Sequence, residues 1–170
     1  MSGYTEAALA VLVTIAGIYD LRCRRIPNWL VLCGLAAGLV LNPWQTSLGG
    51  VGVALLIYLP FYLLRGMGAG DVKLMMAVGS LCGPRDWLAV FVITSLLGGV
   101  IAVCMILWRN RVLETMGNLG FIFTRLVRLR APYTEKEELD VRSSKGMRLP
   151  HGTVIATGAL LYLVYLRLTV

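Results

Sequence analysis

Two carboxylates stand where an apolar chain can least accommodate them. Asp71 lies in Gly68-Ala69-Gly70-Asp71-Val72-Lys73, and Asp20 closes the first apolar run in Tyr19-Asp20-Leu21-Arg22. An ionisable side chain at a membrane segment is costly enough to mark a functional site by default. Two carboxylates held close together cannot both ionise easily, so they can share one proton. One then acts as general base on a water, and the other protonates a carbonyl oxygen or leaving amine. Such a pair hydrolyses an amide without a metal or a nucleophilic side chain.

No competing constellation is evident. The chain has one histidine, His151, so an H-E-x-x-H metal site is excluded. His151 follows Pro150 at the start of an apolar run and reads as a boundary residue. Ser80 and Ser95 have no histidine in their own segments. Cys23, Cys33, Cys82 and Cys104 are scattered without C-x-x-C pairing, so neither a zinc site nor a cofactor is expected. The two aspartates also have plainer readings. Asp71, ahead of Val72-Lys73-Leu74, fits a helix N-cap. Asp20 could be a polar helix end paired with Arg22 or Arg24. Gly66, Gly68 and Gly70 suit either close helix packing or a substrate backbone beside Asp71.

The elements that must position these residues are membrane helices. Of 170 residues, 58% are hydrophobic and 15% charged. A soluble domain has roughly a quarter of its residues charged. The expectation is an all-α polytopic protein with about six transmembrane helices, at 4–19, 26–41, 48–64, 66–83, 87–108 and 150–168. A spanning helix needs about 20 apolar residues. Residues 1–170 read as one integral-membrane domain. The first apolar run lacks a basic region before it and reads as a retained helix.

Charge sets the orientation. The connections after the first, third and fifth segments carry 3, 2 and 9 Lys or Arg, against 2 (Arg85 and Arg167) on the other side. The positive-inside rule places the basic connections in the cytoplasm and both termini outside. Asp20 then leaves the bilayer, and Asp71 enters it, at the same cytoplasmic boundary. The basic loop at about 109–149 holds Val112, Met116, Leu119, Phe123 and Leu126 at helical spacing, with Arg125, Arg128 and Arg130 nearby. An amphipathic helix on the cytoplasmic leaflet fits this pattern, with membrane lipids as its partner. Topology and anionic lipids account for the net charge of +7, and no nucleic-acid partner is implied.

At these residues the chain resembles the type IV prepilin peptidases. The resemblance rests on Gly-x-Gly-Asp with a following Lys at Gly68 to Lys73, and on Asp20-Leu21-Arg22-Cys23-Arg24-Arg25-Ile26-Pro27-Asn28. Leu149-Pro150-His151-Gly152 before the last apolar run adds to it. The resemblance implies an aspartic endopeptidase of the bacterial inner membrane. It would cut the basic leader from a prepilin on the cytoplasmic side, with Asp20 and Asp71 as the catalytic pair. Gly68, Gly70, Lys73, Pro27 and Asn28 are the candidate substrate-binding residues around them. Larger family members insert paired cysteines between spans one and two and also methylate the new N-terminus. Here that connection is about Leu21 to Arg25. The resemblance therefore implies the compact branch serving Flp (Tad) pili, with pilus-assembly machinery as a further partner, and offers no support for methyl transfer.

Other classes share some of these features. A small proton-coupled transporter could use Asp20 and Asp71 as a relay, but would usually need polar residues through the bilayer. An inactive assembly scaffold need not keep both aspartates. Presenilin-like proteases share Gly-x-Gly-Asp, although the short chain and Ile26-Pro27-Asn28 stand against them.

Overall fold

The structure, a computed structural model, describes residues 2–64, 67–108 and 151–169. The basic loop at 109–149 with its candidate surface helix, together with Arg65 and Gly66, lies outside the described residues. The described residues form five helices: α1 (Gly3–Cys23), α2 (Asn28–Leu41), α3 (Trp44–Leu63), α4 (Ala69–Trp108) and α5 (His151–Thr169). Four of them are long and apolar enough to cross a membrane, and Asn28–Leu41 is a shorter apolar helix. The all-helical membrane architecture expected from the sequence is what the chain adopts.

The 40-residue α4 is not one straight rod. Gly83 has φ 77° and ψ 173°, a conformation that glycine alone adopts cheaply. Pro84 follows and restarts the helix, since its fixed φ suits a first helical position. A continuous helix would hold residues 75 and 87 about 18 Å apart. Instead Trp87 donates its ring N–H to the Met75 carbonyl at 2.9 Å. The chain thus doubles back at Gly83, and α4 supplies two arms, at 69–83 and 84–108, where two apolar segments were expected.

Ending the first arm leaves its last carbonyls without helical partners. Asn42, just past the end of α2, supplies them. Its Nδ2 donates to Ser80 O at 3.1 Å and Leu81 O at 2.9 Å. Ser80 Oγ donates in turn to Leu35 O at 3.1 Å and lies 2.6 Å from Ser47 Oγ. The buried polar groups here are spent on fastening α2 and α3 to the turn.

Small residues let these helices approach. A Cβ at Gly38 would overlap Ser80, one at Gly50 would overlap the Gly79 backbone, and one at Gly158 would overlap Thr94. Membrane helices lack a hydrophobic drive to associate, so close backbone contact of this kind carries much of the packing. Leu9, Val13, Leu74, Met75, Val78 and Ile155 fill the interior, while Val40, Leu56, Leu96 and Leu168 point outward. Outward apolar side chains are what a lipid-facing surface requires.

The helices alternate in direction, so one end of the bundle collects the end of α1 and the starts of α2, α4 and α5. At the opposite end Arg167 Nε meets Glu6 Oε2 at 3.2 Å, closing α5 against α1. That exposed pair is a weak fastener. A cavity of about 560 Å³ also lies at this end, between the α2–α3 connection and the Gly83 turn.

Candidate active site

Asp20 sits in the last turn of α1 and is only 6% exposed. The helix stops three residues later because Arg24 turns left-handed, at φ 50°, and returns its N–H to Asp20 O at 2.9 Å. This is a C-terminal cap of the left-handed type. Pro27, extended at φ −68°, then starts α2 at Asn28. The short turn between the helices carries Ile26 back over the site. A Cβ at Gly70 would lie 3.6 Å from Ile26 Cβ, and one at Gly152 would lie 3.0 Å from Ile26 Cδ1. Ile26 is thus wedged between the starts of α4 and α5.

The Asp20 carboxylate is held from α5. Thr153 N donates to Asp20 Oδ2 at 2.9 Å, and Thr153 Oγ1 lies 3.3 Å from the same oxygen. A Cβ at Gly152 would come within 3.0 Å of Asp20 Cγ and Oδ2, so the glycine lets α5 start directly against the carboxylate. The first N–H groups of a helix have no intrahelical acceptor. Asp20 supplies one across the helix interface, where the positive end of the helix dipole also favours a carboxylate.

Asp71 is the third residue of α4, not its cap. The helix begins at Ala69, and both Asp71 N and Val72 N bond to Gly68 O, at 3.2 and 3.4 Å. Its carboxylate folds back against Gly68, where a Cβ would sit 3.2 Å from Asp71 Oδ2. An acidic third residue reaching back over the residue before the helix is a familiar stabilising arrangement. Ile26 links the two sides: it meets Gly70, the residue before Asp71, and also the Gly152 position that packs on Asp20. The two carboxylates, far apart in sequence, therefore converge at one end of the bundle.

The remaining sequence candidates divide. Gly68 lies against the Asp71 carboxylate, and Gly70 faces Ile26. Lys73 Nζ donates to Asn28 Oδ1 at 3.1 Å on an exposed surface, so these two candidates bind each other and tie α4 to α2. Pro27 shapes the turn ahead of them. Sequence reasoning missed the contacts of Thr153 and Ile26, while His151, read as a boundary residue, is the first residue of α5. A hydroxyl one position beyond Gly152, on the same side as both aspartates, was the available signal. Among the described residues, no three His, Cys, Asp or Glu side chains gather as metal donors.

The fold and this end of the bundle define an all-helical membrane protein that brings two carboxylates together. Comparison with known proteins gives the class its name. The type IV leader peptidase family matches residues 7–103, more than half of the chain and a stretch that includes Asp20 and Asp71. The chain belongs to that family. A prepilin leader peptidase/N-methyltransferase of Xanthomonas campestris pv. campestris is 30% identical over 113 residues, which cover 59% of this chain and 39% of that protein. The chain thus matches well under two thirds of that relative's length. No solved structure matches the chain.

Proposed function

We propose that this chain is a membrane endopeptidase that removes the basic leader of a prepilin by a two-aspartate mechanism. The placement of Asp20 and Asp71 at one end of the bundle, on either side of Ile26, carries the reading, because acid–base hydrolysis of an amide needs two such groups at one site. Family membership and the name of the Xanthomonas relative support the same substrate class. One carboxylate takes the proton of a water as it attacks the scissile carbonyl. The other protonates the carbonyl oxygen; as the tetrahedral diol collapses, the first gives its newly gained proton to the leaving amine and the second takes one back from the diol.

The short connection between α1 and α2 supports a place among the compact members that process Flp-like prepilins. The positive-inside count supports six crossings of the bacterial inner membrane, with both termini outside and the carboxylates at the cytoplasmic face. A basic leader stays on that side, while the apolar pilin helix docks laterally. The junction between them then meets Asp20 and Asp71 without drawing charge into lipid. A proton relay, the rival reading, needs polar groups leading onward through the bundle. The buried Ser47 and Ser80 are instead bonded to each other, with Ser80 also fastened to Leu35 O.

The test is reconstitution of the purified chain in liposomes with a Flp-type prepilin, read by mass spectrometry. The expected result is release of the leader just ahead of the apolar helix, with the rate unchanged by EDTA because the cysteines and the one histidine of the sequence lack zinc-ligand spacing. An intact prepilin would contradict the function, and EDTA inhibition reversed by zinc would contradict the mechanism.

A further inference from the structure

We propose that Thr153 is a positioning residue that divides the labour between the two oxygens of Asp20. The inference rests on the two-aspartate reading and extends it to single atoms. Thr153 lies outside the stretch matched by the family, so its part is drawn from this structure alone. Its backbone N–H and its hydroxyl both reach Asp20 Oδ2, at 2.9 and 3.3 Å. The hydroxyl has one proton and a second acceptor, Gly17 O at 3.4 Å. Oδ2 is thus occupied by fixed donors of α5, and Gly152 packs against the same oxygen. Oδ1 is the oxygen left to meet water and carry the exchanged proton.

The backbone bond fixes where the carboxylate sits. The hydroxyl fixes how it is rotated, since two donors at one oxygen leave little freedom about the Cβ–Cγ bond. A carboxylate free to swing would offer either oxygen to the water, in poor alignment for part of the time. Misplacement of a reacting group by about 1 Å can cost on the order of 100-fold in rate. Thr153 therefore acts on the chemical step and not on substrate affinity.

Two measurements test this. In the first, Thr153→Val and Thr153→Ser are assayed in liposomes with the prepilin, beside Asp20→Asn as the control for the pair itself. Valine keeps the shape and the backbone bond but loses the hydroxyl. Loss of a hydrogen bond to a charged group corresponds to roughly tenfold or more. The expected result for Thr153→Val is a fall of about that size in kcat with KM little changed, and serine should restore most of it. Wild-type kcat in Thr153→Val, a change confined to KM, or no rescue by serine would each overturn the proposal. Full cleavage by Asp20→Asn would overturn the two-aspartate reading beneath it.

The second measurement needs no activity. Hydrogen exchange at the Thr153 amide is compared between the wild-type chain and Asp20→Ala. That N–H lies in the first turn of α5, so Asp20 is its acceptor, and removing the carboxylate should speed its exchange. Exchange unchanged by Asp20→Ala would overturn the contact, whatever the cleavage assay shows.

Discussion

Asp20→Asn and Asp71→Asn are each expected to leave the prepilin at full length while the protein remains in the membrane. Asparagine matches aspartate in shape. At position 20 its amide oxygen can still accept from Thr153 N, so α5 keeps its partner. At position 71 the change leaves the Gly68 backbone bonds of the first turn untouched. What is lost is proton transfer. A positioned general acid or base contributes about 100- to 10,000-fold. The proposed mechanism gives both roles to these two residues, so each single variant should show a loss of at least that order, and the double variant little more. Processing is read by the mobility of a co-expressed prepilin, and membrane level by immunoblot. Wild-type processing by either variant would contradict the mechanism.

The second large effect is expected at Gly152. A Cβ there would lie 3.0 Å from Asp20 Cγ, Asp20 Oδ2 and Ile26 Cδ1 at once. Valine at this position must push the carboxylate away from its donors or move the start of α5. Overpacking of this kind typically costs about 1–3 kcal/mol of stability. The loss in cleavage should be larger, on the order of 100-fold, because a displaced carboxylate is also misaligned. Gly70 gives the contrast. Its Cβ would meet Ile26 at 3.6 Å, an ordinary contact, so Gly70→Ala should be nearly silent. Gly70→Leu should drive Ile26 toward the site and block cleavage by closing it. Comparable processing by Gly152→Val and Gly70→Ala would show that the start of α5 is not packed on Asp20.

These effects follow from contacts between helices, and the sequence carries little of that. The helices themselves were legible, because runs such as 4–19 and 87–108 are too apolar for a soluble fold. The aspartates were legible as costly charges at segment ends. The fourth segment carries Asp71 and Lys73 near its start, and Asp71 falls within the first turn of α4, where a carboxylate is welcome. Its reading as an N-cap missed the start of the helix by three residues. The end of that segment at residue 83 was visible. That Asn42 would cap the two freed carbonyls there was not, because the partners are brought together only by packing of α2 on α4. Thr153 was hidden for a similar reason. A threonine inside Gly152-Thr153-Val154-Ile155 looks like filler until α5 is laid against α1. Lys73 and Asn28 were chosen by their place in motifs, and motifs do not say that two such residues will satisfy each other.

The central claim is that Asp20 and Asp71 share one site at the cytoplasmic face, and a crosslink tests it most directly. Cysteines replace Asp20 and Asp71 in a chain whose Cys23, Cys33, Cys82 and Cys104 have been changed to alanine. A short, membrane-impermeant reagent that bridges two thiols is then applied to inverted and to right-side-out vesicles. The account predicts a peptide joined between positions 20 and 71 in the inverted vesicles, where the cytoplasmic face is open, and none in the other set. No joined peptide in either preparation, or one formed only from the outer face, would contradict it.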